Sequence, residues 1–146
     1  MPYIVIEEKT MGNVYAEITL KNVSDLVMAK EGYLKENNIR ESTVNAIVDT
    51  GAWTLVINEA IREELGLEVR AKDWASLANG TVEMVKKVEP VEVHWKDRMM
   101  TCQPILLPGT DEVLLGAIPL EDMDLLVDPK NQELIGRHGD KILRRI

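Results

Sequence analysis

The segment of this chain whose residue types and spacing could do chemistry is Asp49-Thr50-Gly51. It follows Val44 to Val48, which reads as a buried strand, and Thr54-Leu55-Val56-Ile57 resumes the apolar run beyond it. Gly51 permits the tight turn that lifts a carboxylate to the end of such a strand. The Thr50 hydroxyl is expected to brace the loop through hydrogen bonds to nearby backbone. A carboxylate raised in this way can serve as a proton acceptor or donor. The tripeptide alone is a weak signal, because at average usage of ~5–7% per residue type it arises by chance in about one chain of this length in thirty. The plainer reading beside it is an Asp-containing turn between two strands.

No other constellation competes. The two histidines, His94 and His138, are far apart and lie in no metal-ligand spacing, so no metal is expected and both read as surface residues near strand ends. There is no serine-histidine or cysteine-histidine arrangement. The glycines are scattered rather than gathered into a phosphate-cradling loop, and no cofactor is expected. Pairs such as Glu63-Glu64 and Asp111-Glu112 read as solvated helix faces and turns.

The bulk properties exclude several function classes. With 146 residues, 45% hydrophobic and 29% charged, the chain reads as one soluble globular domain over 1–146, large enough to bury a core. A net charge of −8 opposes binding to nucleic-acid phosphates. The basic cluster Arg137, His138, Lys141, Arg144 and Arg145 reads as a solvated tail or final strand. No apolar run approaches the ~18 residues of a membrane span. Met1 to Glu8 has no basic region ahead of its short apolar stretch, so it does not read as a secretory signal. The single cysteine, Cys102, cannot form an intramolecular disulfide and reads as a buried structural thiol, which suits a reducing cytoplasm.

The elements that must position Asp49 are mostly strands, short apolar or alternating runs separated by turn residues. Val14 to Leu20 alternates after Gly12-Asn13 and predicts a half-buried strand. Residues 24 to 42 leave two readings open, a short helix capped at Ser24-Asp25 and a loose hairpin. Asn58 as N-cap, Glu59 in the first turn, Ile61 and Leu65 on one face and Gly66 as the stop predict a helix over 59–65. Asn79-Gly80 reads as a two-residue hairpin turn, and Lys96-Asp97 as a weaker one. Val82, Met84, Val88, Val91, Val93 and Trp95 supply strand positions, with Pro90 implying a bulge or edge. Val113-Leu114-Leu115-Gly116 is a second apolar run ending in glycine. Pro119 is expected to open a helical turn from Leu120 to Asp124. Leu125-Leu126-Val127, Asp128 to Asn131 and Glu133-Leu134-Ile135 then predict a strand, a turn and a returning strand.

Taken in order, these segments resemble the retropepsin-like aspartic proteases, from about Met11 to Gly136. Ala46-Ile47-Val48-Asp49-Thr50-Gly51-Ala52 is similar to their catalytic loop, and Leu114-Leu115-Gly116 looks like the second hallmark that packs beside it. Leu125 to Leu134 is similar to the strand-turn-strand of prokaryotic members and of the protease domain of ubiquitin-shuttle proteins. Asn79-Gly80-Thr81 falls where the family places its flap hairpin. The resemblance implies a mostly-β fold, half of a closed acid-protease barrel with one or two short helices, paired across a two-fold axis. It implies an aspartic endopeptidase in which Asp49 is catalytic, Thr50, Gly51 and Ala52 support the loop, and Asn79, Gly80 and Thr81 cover a peptide or protein substrate. In such enzymes two carboxylates hold one water and share one proton. This chain carries a single Asp-Thr-Gly, so the resemblance implies a homodimer. Two positions and one segment, Ser24 to Ser42, which has no counterpart in the family, depart from the pattern. Trp53 stands where relatives carry a small or polar residue, and the flap segment has one glycine, Gly80, where retroviral flaps have several. The alternative is a peptide-binding or dimerisation module that keeps the fold without proteolysis.

Overall fold

A computed structural model of the chain describes residues 12–146. The reading of Met1 to Glu8, and the first residue of the resemblance, Met11, lie outside them. The described chain runs β1 (Val14–Asn22), α1 (Val23–Lys30), a short 3-10 turn (Glu36–Asn38), β2 (Glu41–Val48), β3 (Leu55–Ile57), α2 (Glu59–Leu65), β4 (Val69–Ser76) and β5 (Val82–Val88). It continues through β6 (Val91–Trp95), β7 (Arg98–Cys102), β8 (Ile105–Leu106), β9 (Leu114–Leu115), α3 (Ala117–Asp122), β10 (Leu125–Asp128) and β11 (Glu133–Gly136).

Nine strands form one curled sheet in the order β4-β5-β8-β3-β9-β2-β1-β6-β7, and β10 and β11 form a separate ribbon. The alternation seen in the sequence sets which face turns inward. In β1, Ala16, Ile18 and Leu20 are buried while Glu17 is exposed, and in β6, Val91, Val93 and Trp95 are buried. These side chains meet Leu55, Ile57, Leu65, Leu67, Val88 and Leu115 in one core. The edge between β6 and β7 is turned by Lys96-Asp97, with Trp95 opposite Arg98 and Lys96 at φ 50°.

The helix over 59–65 forms as its local signals dictate. The Asn58 side chain accepts the Ile61 amide at 2.9 Å, and Gly66 closes the helix in the left-handed region at φ 65°. Pro90 lies between β5 and β6, and the β10–β11 ribbon pairs Leu125 with Gly136 and Asp128 with Glu133.

Two sequence expectations are corrected. In residues 24–42 the helix wins, but its cap is Asn22, the last residue of β1, whose Oδ1 accepts the Asp25 amide at 3.0 Å. Asp25 is buried and bound by Arg40 through three donors: its backbone amide (2.9 Å), Nε (2.8 Å) and Nη2 (2.9 Å). That clamp fixes the segment that was ambiguous. Second, α3 begins at Ala117 after Gly116, ahead of Pro119, and ends at Asp122, while Asp124 sits at φ 56° outside it. The basic C-terminal cluster is exposed, as a solvated tail would be, and the segment carrying it is also tethered. Asp124 accepts His138 Nδ1 at 2.6 Å and the Leu143 amide at 3.1 Å, and Arg144 reaches Asp122 at 3.7 Å. Beneath this corner the buried Arg98 guanidinium donates to the carbonyls of Met123 (2.7 Å), Asp124 (2.8 Å) and Gly139 (2.5 Å).

Candidate active site

Asp49 is the first residue after β2, and the loop it begins returns to the sheet as β3. Between these two strands lies β9. It runs parallel to β2, pairing Ile47 with Leu114 and Val48 with Leu115, and antiparallel to β3, pairing Leu55 with Leu115 and Val56 with Leu114. The Asp49 loop therefore wraps around a strand that comes over sixty residues later in the sequence. Backbone bonds lock it there: the Asp49 amide to the Leu115 carbonyl at 3.0 Å, Ala117 to Ala52 at 2.8 Å and Ile118 to Trp53 at 3.0 Å. Gly116 is required at this crossing. A Cβ on it would lie 2.3 Å from the Thr54 carbonyl oxygen and 2.6 Å from that of Ala52.

Inside the loop, the Gly51 amide donates to Asp49 Oδ1 at 2.9 Å, and the Ala52 amide donates to the Asp49 carbonyl at 3.0 Å, closing a tight turn. Gly51 does not adopt a positive φ. What it offers is close approach, since a Cβ there would sit 3.2 Å from Asp49 Oδ1. Thr50 does not brace the loop as expected. It is exposed, and among the described residues its hydroxyl makes no hydrogen bond. The bracing comes from backbone amides instead.

Asp49 is half-buried and opens into a cleft of about 990 Å³. Gly51, Ala52, Trp53 and Thr54 form one wall. Val56, Ile105, Leu107 and Leu114 form an apolar floor, and the inner face of the β4–β5 hairpin, including Asp73, Ala75 and Asn79, forms the opposite wall. The hairpin turn is one residue longer than the sequence implied. The Gly80 amide donates to the Leu77 carbonyl (2.9 Å), the Leu77 amide donates to the Thr81 carbonyl (2.8 Å), and Gly80 takes φ 87°. Ala78, Asn79 and Gly80 thus make a three-residue loop with glycine at its left-handed position. Asn79 Oδ1 accepts the Thr81 amide at 3.0 Å and the Thr81 hydroxyl at 2.6 Å, which holds the tip in shape.

The structure thus brings Asp49, Gly51, Ala52, Leu114 and Asn79 to one cleft. Thr50, Gly80, Thr81, Leu115 and Gly116 lie outside its lining, as parts of the loop, the hairpin tip and the strand crossing. Sequence reasoning missed Asp73 and Lys87. Lys87 Nζ stands 5.6 Å from the Trp53 ring centroid and 3.4 Å from Asp73 Oδ2. A lysine in a strand gives no local signal of this kind. Cys102 takes no part in the cleft: burial pushes its thiol up to about 12, which keeps it protonated and unreactive. Among the described residues no group of three or more potential ligands could hold a metal, and no helix is long and apolar enough to cross a membrane.

A curled, mostly-β sheet with an Asp-Thr-Gly loop wrapped around a hydrophobic strand, facing a hairpin across a cleft, defines the retropepsin-like class of aspartic proteases. Residues 36–131, well over half of the chain, match the family described as "gag-polyprotein putative aspartyl protease", and the chain belongs to that family. Among solved structures, it is similar to the retroviral protease-like domain of Ddi1 from Leishmania major, with 16% identity, coverage of 89% of this chain and 90% of that one, and a TM-score of 0.53. That likeness shows the fold. The protease of EIAV, solved with the inhibitor HBY-793, matches with 18% identity over 76% of this chain and 88% of that one, at a TM-score of 0.48. No curated protein matches the chain.

Proposed function

We propose that the protein is an aspartic endopeptidase that hydrolyses peptide bonds without a cofactor, and that two chains pair so that their Asp49 carboxylates share one water. The observation that carries this reading is the placement of Asp49. It stands at a loop locked by backbone bonds on both sides, half-open to a cleft of about 990 Å³ whose opposite wall is the β4–β5 hairpin. One carboxylate, ionised, would take the water's proton as the water attacks the scissile carbonyl. The other, protonated, would donate to the carbonyl oxygen. The first, now carrying the water's proton, would then give it to the departing amine while the second takes back the proton of the gem-diol hydroxyl. Two carboxylates in contact cannot both be charged, so the pair holds one proton and acts as acid and base together. A chain with one such aspartate supplies half of that pair, which is why the reading includes a homodimer built on a two-fold axis. Gly51 and Ala52 would hold the carboxylate in place, and Asn79, Gly80 and Thr81 would close over a peptide bound as an added strand.

The test is Asp49→Asn, which replaces a carboxylate by an amide that can neither take the water's proton nor share one. Loss of cleavage of an unstructured protein substrate, with unfolding midpoint and dimer mass unchanged, supports the reading. Cleavage retained by the pure variant overturns it. A second reading, a peptide-binding module without catalysis, is favoured by the Trp53 ring, which is 58% exposed at the cleft wall and can grip a peptide with no chemistry. That reading expects peptide binding by both forms and cleavage by neither.

A further inference from the structure

Cross-strand registers place a continuous row of side chains along the cleft floor. Leu114 pairs with Val56, Val56 with Ile105, and Ile105 with Lys87. Leu114, Val56 and Ile105 all line the cleft, so three apolar positions lead directly to a lysine. Lys87 is only 26% exposed and is held from two sides, by the face of the Trp53 ring at 5.6 Å and by Asp73 at 3.4 Å. Asp73 is itself part of the cleft lining. The apolar row therefore runs on to a matched pair of opposite charges, one from each strand of the hairpin: Asp73 in the cleft lining and Lys87 just behind it, with an indole lying over the cation.

We propose that Asp73 and Lys87, positioned by Trp53, form a charge-balanced end wall that determines specificity by rejecting both basic and acidic peptide side chains from one subsite. This rests on the peptidase reading above and names a selection made by that same cleft. A basic side chain running along the apolar floor meets the Lys87 ammonium, and an acidic one meets the Asp73 carboxylate. Each must also give up water to enter a partly enclosed, apolar trough, and neither finds an unengaged partner there. An uncharged apolar or aromatic side chain meets neither penalty and can lie along the floor and against Trp53. Removing one member of the pair leaves the other unbalanced, so the subsite should then select the charge of the member removed.

The test uses octapeptides in which each position in turn carries Leu, Phe, Lys or Glu, presented to three forms of the full chain: wild type, Lys87→Met and Asp73→Asn. Exposed or half-exposed ion pairs contribute little to stability, so both variants should fold. Two readouts are taken: kcat/KM for hydrolysis, and peptide affinity of the same three forms carrying Asp49→Asn. At one peptide position Lys87→Met should raise the Lys-to-Leu preference by about tenfold or more, and Asp73→Asn should raise the Glu-to-Leu preference similarly. Preferences that stay unchanged, or that loosen equally for both charges, overturn the proposal. If wild type binds peptides but cleaves none, the peptidase reading fails while the affinity preferences still decide the proposal on their own.

Discussion

The α-carbon of Gly116 lies so close to Thr54 that a Cβ there would stand 2.3 Å from the Thr54 carbonyl oxygen. The contact joins the start of α3 to the far end of the Asp49 loop, and the neighbouring Ala52 carbonyl stands 2.6 Å from the same point. Both obstacles are backbone, which cannot swing aside. Gly116→Ala is expected to force the loop away from β9 and to cost about 1–3 kcal/mol, the range for overpacking a filled site. The urea midpoint measures this, and cleavage should fall further than stability because Asp49 rides on the displaced loop. A variant with wild-type midpoint and turnover would show that the crossing is not so tight.

Arg98 is expected to hold the C-terminal corner together. It is buried and serves the carbonyls of Met123, Asp124 and Gly139. Arg98→Met would leave acceptors without donors, at roughly 1–3 kcal/mol for each group that stays buried. Arg98→Lys should recover only part of the loss, since one ammonium cannot reproduce a planar fork. Equal stability of the Lys and wild-type forms by urea unfolding would remove the fork from the explanation.

Two buried carboxylates make stability depend on acid. Arg40 hydrogen bonds hold Asp25 below the usual carboxylate range against the opposing effect of burial. His138, followed by the Leu143 amide, holds Asp124 below it. A value lowered on folding contributes stability that is fully present above the ordinary pKa of about 3.9 and is lost as pH falls through the folded value. The urea midpoint should therefore drop steeply below about pH 4. Asp25→Asn should lie lower at neutral pH, and its curve should approach that of wild type in acid. Parallel curves throughout would show that Asp25 is not the titrating group.

How much of this was legible in the sequence follows from the range of each signal. Helix α2 was readable to its ends because Asn58 and Gly66 act within one turn of chain. The Asp49 turn and the β10–β11 ribbon were readable for the same reason. Asn22 was hidden as a cap because it also belongs to a strand, pairing with Val91 of β6. The passage of β9 between β2 and β3 joins residues far apart in the chain, and no local pattern encodes the register Ile47 to Leu114. Hydroxyls often bond to turn backbone, which is what the sequence suggests for Thr50, yet within the described chain the Gly51 and Ala52 amides fill that role. The Asp73–Lys87 pair joins two strands of a hairpin across positions that carry no local pattern, so only the fold shows that Asp73 lines the cleft with Lys87 bound to it.

The hairpin offers a test of its own. Gly80 takes φ 87° at the tip, with open space around it, so Gly80→Val strains the backbone without a clash. If this hairpin closes over substrate, turnover should fall by about tenfold or more, with a stability loss of only about 1–2 kcal/mol. Unchanged kinetics would mean that the hairpin stays clear of bound peptide.

On the proposed mechanism one active site needs Asp49 from two chains, and mixing chains puts this to the test. Wild type and Asp49→Asn are unfolded together in equal amounts, refolded so that chains pair at random, and assayed at fixed total protein against wild type treated alone. If each site draws one carboxylate from each chain, only dimers of two wild-type chains cleave, and activity falls to about a quarter. It should also follow the square of the wild-type fraction as the mixing ratio is varied. Activity that falls only to half, in proportion to the wild-type chains present, would mean that each chain works with its own Asp49 and would contradict the account.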